Sequence, residues 1–228
     1  MPHGQPKGIT RNMLRFAEEI VLLALNDETG KISRNVPEQS LEAAIAGALL
    51  MELDFMNRID TDPEFITLVK SDPTGDPLLD ETISILGSVG TQTPITKALA
   101  KLMLRGEEFE GRLLAALVHK GILKEKDSSF LWIKGERTYP MIDGREESEV
   151  RTRIRMIILT DTIPDPRDVV IIALMESCRL HRSVFIHEEL ASCRKRIAEI
   201  GKMDFIGQGI QNVMELKEKK SVEEIANS

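Results

Sequence analysis

Apolar positions recur at helical spacing along almost the whole chain. Leu14, Ile20, Val21, Leu22, Leu23 and Leu25 form a wide stripe after Thr10, a residue type that caps helices, and Asn26-Asp27-Glu28-Thr29-Gly30 then supplies turn residues. Ser40 is placed to cap a second helix over 41–55. The small residues Ala43, Ala44, Ala46, Gly47 and Ala48 let neighbours approach that helix closely, so it is expected at the centre. Three Asp-Pro pairs, at 62–63, 76–77 and 165–166, each predict a helix start. The Asp accepts from orphan N–H groups, and Pro at the first helical position gives up no needed donor. The apolar run after Asp165 reads as a buried core helix. Segments 98–104, 106–117, 146–159, 188–200 and 205–217 also carry the helical period.

One segment departs from that period. Phe130, Leu131, Trp132 and Ile133 are strand formers, and Lys134-Gly135-Glu136 is a turn signal. They predict a β-hairpin, with Ile122 and Leu123 beginning a related pairing. The segment holds the chain's one Trp, and Tyr139, its one Tyr, follows close by. The predicted class is mostly all-α: a single compact helical domain over 10–217 with a central hydrophobic helix and one β-hairpin. Residues 1–9 and 218–228 are expected to be flexible.

Composition narrows the picture. The 228 residues are 42% hydrophobic and carry a net charge of −7, which excludes a disordered chain and argues against a nucleic-acid partner. Two cysteines, Cys178 and Cys193, are too few for a disulfide framework and fit a reduced, cytoplasmic setting. The start of the sequence has no apolar run of the secretory type, and no stretch reaches the ~18 apolar residues of a membrane span. Attachment to a membrane surface stays open.

Motifs for catalysis are absent: no GxSxG, no Walker A loop, no GxGxxG and no HExxH. His119 sits at a helix end, where the dipole favours it. Cys178, His181, His187 and Cys193 are zinc-type residues at poor spacing, so no metal site is expected. Asp72, Asp76, Asp80 and Glu81 are close enough for Mg²⁺ or acid–base work, but a turn, an N-cap and first-turn acids account for them more simply. Arg145, Arg151, Arg153 and Arg155 alternate with Glu146, Glu147 and Glu149, which reads as a solvated mixed-charge face. No enzyme activity and no cofactor are expected.

Several strings nevertheless occur in a recognisable order. Glu18-Glu19-Ile20-Val21-Leu22-Leu23-Ala24-Leu25 precedes Asp27-Glu28-Thr29-Gly30, and residues 46–53 (AGALLMEL) lead to Asn57-Arg58-Ile59. Then come Pro73-Thr74-Gly75-Asp76-Pro77-Leu78-Leu79-Asp80-Glu81, the LVHKGIL string at 117–123, the hairpin over 130–140, and Asp165-Pro166-Arg167 before an apolar helix. Together, from about 13 to 216, they resemble the Golgi phosphoprotein 3 family. That resemblance implies a helical, non-catalytic domain. Eukaryotic members lie on the Golgi membrane, bind the phosphatidylinositol 4-phosphate headgroup and hold the cytosolic tails of glycosyltransferases. Their apolar hairpin contributes to membrane contact and self-association. Phe130, Leu131, Trp132 and Ile133 carry that character here, and Trp suits the membrane–water interface.

The family's headgroup pocket uses a Trp before the second helix, an Arg within it, and two basic residues before the LVHKGIL-like string. Ungapped, those positions are Pro37, Ala46, Glu107 and Glu110. Two carboxylates repel a phosphate, so Arg34, Arg105 and Arg112 become the candidate headgroup cations. The departures suggest a divergent, prokaryotic-type member, with a Golgi location applying only in a eukaryote. The expected partner is an anionic phospholipid surface, phosphatidylinositol 4-phosphate or another, with cytosolic tails of membrane enzymes and a second copy of the chain as further partners. The alternative is a soluble interaction scaffold that uses the hairpin to oligomerise.

Overall fold

The first apolar stripe folds as helix α1 (Phe16–Ala24), and all nine of its residues are buried, Glu18 and Glu19 included. The structure is a computed structural model that describes residues 14–34, 36–127, 137–160 and 162–227. Glu18 sits at the third helical position and accepts from the Arg15 N–H at 2.9 Å, closing the helix start. Thr10 lies outside the described residues.

Helix α2 (Glu38–Phe55) is the hub, as its small residues predict. It packs against α1 and against five helices that follow: α3 (Pro77–Val89), α4 (Ile95–Met103), α5 (Gly106–His119), α7 (Pro166–Ser177) and α10 (Phe205–Lys217). Ala43, Ala44, Ala46 and Ala48 are at most 1% exposed. A Cβ added at Gly47 would stand 2.6 Å from Ile210 Cδ1 and 2.8 Å from Leu174 Cδ2, so hydrogen at this position sets how closely α7 and α10 approach. The start of α2 differs from the sequence expectation. Pro37 holds the cap position, and Ser40 is buried within the first turn.

Asp62-Pro63 is also corrected. It does not open a helix but turns β1 (Ile59–Thr61) into β2 (Phe65–Leu68). Asp62 Oδ1 accepts from the N–H of Glu64 (2.8 Å) and Phe65 (2.7 Å), an Asx turn that uses the same acceptor chemistry as a helix cap. Strand β3 (Gln92–Pro94) completes a three-stranded antiparallel sheet with Ile59 opposite Leu68 and Ile66 opposite Thr93. The other two Asp-Pro pairs are helix starts as expected. Asp76 accepts from Leu78 and Leu79 N–H, and Asp165 from Asp168 N–H.

Beyond α5, β4 (Lys126–Asp127) pairs antiparallel with β5 (Arg137–Thr138), and Leu123 bridges Met141. Phe130, Leu131, Trp132 and Ile133 lie outside the described residues. Then follow α6 (Arg145–Leu159), α7, the short α8 (His181–Val184), α9 (His187–Gly201) and α10. In α7, Val170 to Met175 are at most 3% exposed, the core helix that the apolar run predicts.

The chain after Lys217 departs from the expected flexible tail. It turns back as α11 (Val222–Asn227), burying Ile225 and Ala226 against α4, and Lys101 Nζ donates to Asn227 Oδ1 at 3.1 Å. Three apolar residues, Val222, Ile225 and Ala226, among polar ones are too weak a pattern to read, yet they pack against the core here.

Tight packing has a measurable consequence at α10. A Cβ at Gly209 would lie 2.2 Å from Ile95 Cγ2. That methyl is on a branched Cβ and cannot swing aside. Gly209→Ala should therefore destabilise the chain by about 1–3 kcal/mol despite the better helix propensity of alanine. A lowered urea midpoint with an unchanged slope is the expected reading.

Candidate functional site

Two of the three candidate cations come together. Arg105 precedes α5 and Arg112 lies two turns later on the same face, and both reach Glu81 on α3. Arg105 Nη2 is 2.9 Å from Glu81 Oε1, while Arg112 Nη1 bonds Glu81 Oε2. Glu108 joins from α5, 3.0 Å from Arg105 Nε and 3.8 Å from Arg112 Nη1. The result is a pair of forked donors closing on one carboxylate, a geometry that suits any planar or tetrahedral oxyanion. Arg34 is exposed in the turn before α2. Among the described residues no hydrogen bond or ion pair joins it to the other two.

The four replaced pocket positions separate. Pro37 is exposed at the α2 cap and Glu107 is exposed on α5, whereas Glu110 is half-buried. Ala46 is 1% exposed and packed inside. An arginine there would need a rearranged core, so this position is not a surface cation that was simply trimmed.

The acidic string 72–81 does not form one centre. Asp76 caps α3 and pairs with Arg15. Asp80 accepts from both the N–H and the hydroxyl of Thr74 at 2.6 Å, and the hydroxyl above all holds its carboxyl below the usual range. Asp72 is exposed, 3.6 Å from Arg58 Nη1. Glu81 serves the arginines. Among the described residues no group of three or more His, Cys, Asp or Glu is placed to hold a metal ion. Burial pushes the Cys178 thiol up and the half-buried His181 imidazole down, so both stay neutral.

The basic run on α6 is more than a solvated face, and here the sequence reading is corrected. Arg153 reaches buried Glu19 at 2.8 Å and Asp168 at 2.6 Å. Arg155 grips Glu189 with both terminal nitrogens. Arg167 crosses to Glu19 at 3.1 Å and stacks 4.3 Å from the Phe16 ring centre. Glu18, 3% exposed, holds Lys120 at 2.6 Å. Alternating charge marks Arg153 and Arg155, but nothing in the pattern tells that they turn inward or that Glu19, Asp168 and Glu189 receive them. A cavity of about 130 Å³ lies near this network, floored by Ala48, Leu49, Leu78, Leu113 and Ala116 and rimmed by Arg15, Glu52, Asp76 and Lys120.

Fold and site together define a mostly helical protein whose charged groups are organised as ion-pair networks around a hydrophobic hub. Among the described residues no helix is long and apolar enough to cross a membrane. The chain matches the family model of Golgi phosphoprotein 3 (GPP34) over residues 16–216 and belongs to that family. It is similar to Vacuolar protein sorting-associated protein 74 of Schizosaccharomyces pombe, with 25% identity over 170 residues, 66% of this chain and 50% of that protein. The protein of the same name from Eremothecium gossypii is 25% identical over 169 residues, 64% of this chain and 49% of that protein. The chain thus spans about half the length of these relatives.

Proposed function

We propose that the protein is a non-enzymatic adaptor that sits peripherally on a membrane by recognising an anionic phospholipid headgroup. Phosphatidylinositol 4-phosphate is the first candidate. The observation that carries this reading is the convergence of Arg105 and Arg112 on the Glu81 carboxylate. A headgroup phosphate would take the place of that carboxylate, so Glu81 acts as an internal competitor. The hairpin residues Phe130, Leu131, Trp132 and Ile133 would add apolar contact with the bilayer. Cytosolic tails of membrane enzymes are the proposed cargo, and a Golgi surface is the proposed location in a eukaryotic host.

Vesicle co-sedimentation tests this. Vesicles of phosphatidylcholine alone are compared with vesicles containing phosphatidylserine or phosphatidylinositol 4-phosphate. The anionic vesicles should retain the protein. Arg105→Glu with Arg112→Glu should reduce retention by about tenfold or more, since each reversal replaces a charge-assisted contact with repulsion. Glu81→Gln should strengthen it. A wild-type chain that ignores every anionic vesicle at neutral pH overturns the headgroup reading and leaves the soluble scaffold.

A further inference from the structure

The cavity of about 130 Å³ has no part in the Arg105–Arg112 fork. Its floor comes from three helices: Ala48 and Leu49 of α2, Leu78 of α3, and Leu113 and Ala116 of α5. All of these except the half-buried Ala116 are at most 8% exposed and belong to the core, so the floor is preformed. Their side chains offer neither donor nor acceptor. The rim, by contrast, is charged, with Arg15, Glu18, Glu52, Asp76 and Lys120 around it. Arg15 pairs with Asp76, and Lys120 Nζ stands 2.6 Å from Glu18. Glu52 is different. Among the described residues it accepts the Phe16 N–H alone, at 3.1 Å, and meets no cation. The rim therefore carries one carboxylate in excess of its two cations.

We propose that this cavity binds a small quaternary ammonium group, the trimethylammonium end of a choline-type ligand. Size, surface and charge each lead there. An apolar cavity of roughly 150 Å³ accepts benzene, so this one has room for the nitrogen and four carbons of such a group. A primary ammonium or a guanidinium pressed onto alanine and leucine would lose its hydrogen bonds with water and gain none. Methyl groups need none. A neutral hydrocarbon would satisfy the floor but draw nothing from the excess carboxylate, whereas a cation at the mouth is attracted by it. A quaternary ammonium joins a positive charge to a surface made wholly of methyl groups, and so meets all three conditions.

Sites for such groups are often built from aromatic rings, whose faces attract the cation. No aromatic side chain lines this cavity, so the Glu52 carboxylate supplies the attraction and the floor supplies the contact area. The paired neighbours matter as well. Glu18 also accepts the Arg15 N–H, at 2.9 Å, and Asp76 accepts the Leu78 and Leu79 amides. Both carboxylates are thereby fixed in place, and Glu52 is left to answer a ligand. The same methylated group can arrive on a free solute or on a phosphatidylcholine headgroup.

The test is isothermal titration of the full chain with choline chloride, with sodium chloride holding the ionic strength constant. Choline should bind with a Kd of about 0.1–1 mM. Its neutral tert-butyl analogue, which has the shape without the charge, should bind about tenfold more weakly. Ethanolamine, which has the charge without the methyl groups, should also lose about tenfold. Glu52→Gln keeps an acceptor for the Phe16 N–H, and it should weaken choline about fivefold while leaving the tert-butyl analogue unchanged. Ala116→Leu fills the cavity and should abolish binding of both, with circular dichroism confirming the fold. Retention on phosphatidylcholine vesicles that free choline reverses would support the site with a lipid headgroup as its source. Binding of free choline without such retention would support it with a solute as its source. No binding of choline at about 10 mM overturns the proposal. Equal affinity for the tert-butyl analogue or for ethanolamine, or choline binding that survives both substitutions, overturns it too.

Discussion

Glu19→Ala should cost about 3 kcal/mol of stability, a loss at the lower end of that seen when one partner of a buried ion pair is removed. Glu19 is 2% exposed and answers two guanidiniums, Arg153 at 2.8 Å and Arg167 at 3.1 Å. Alanine leaves both cations facing a space with no acceptor. Arg153 retains Asp168, but among the described residues Arg167 retains the Leu14 carbonyl and the Phe16 ring alone. Both guanidiniums are partly solvated, which keeps the cost near the lower end of the range. Glu19→Gln keeps one acceptor oxygen and should lose about half as much. Urea unfolding of the two variants and of Arg153→Met, alone and combined with Glu19→Ala, gives the coupling directly. Additive losses would mean that the network contributes nothing beyond its separate side chains.

Much of the fold was legible because it depends on local pattern. The stripe at 14–25, the small residues of 43–48 and the apolar run of α7 each predict burial from sequence alone, and burial is what the structure shows. Asp76 and Asp165 were read correctly as caps for the same reason. Asp62 was not, because an Asp that accepts from the amides two and three residues on looks alike in a helix start and a hairpin turn. The following Phe65-Ile66-Thr67-Leu68 was the available signal. At the site, charge and position single out Arg105 and Arg112, but their shared partner Glu81 lies 24 and 31 residues earlier in sequence and is joined to them by tertiary packing. Glu18 and Glu19 belong to a string that resembles the family, and no local feature reveals that they turn inward beside Ile20 and Val21. Alternating charge describes which residues are present, while the partner that draws each one inward is fixed by the neighbouring helix.

Asp204→Asn should stabilise the protein at neutral pH and remove much of its pH dependence between about pH 4.5 and 7. Asp204 caps α10, with its Oδ1 2.6 Å from the Gly207 N–H. Burial pushes its carboxyl up to about 6 and the charge of Asp54 pushes the same way, against the opposing pull of the Gly207 and Ile206 amides. A folded value above the unfolded one means that the native state binds the proton more tightly. Stability is therefore greatest below the unfolded value near 4 and is lost as pH rises through 6. Burial also raises Asp54, Glu147 and Asp168, which reinforces the trend. Asp80 and Glu189, held low by hydrogen bonds, oppose it only at more acid pH. Asparagine keeps the cap oxygen and carries no charge to desolvate. The gain at pH 7.5 should be about 1–3 kcal/mol, should shrink as pH falls through 6, and should vanish only below the unfolded value near 4, where the carboxyl is neutral in both states. Asp204→Ala separates the two roles of the residue. It escapes the same desolvation but gives up a cap worth about 1 kcal/mol, so it should gain less at pH 7.5 and fall below wild type once the pH is under the unfolded value near 4. Parallel stability curves for Asp204→Asn and wild type across this range would show that the carboxyl titrates at its ordinary value, and that the burial seen at this turn does not hold in solution.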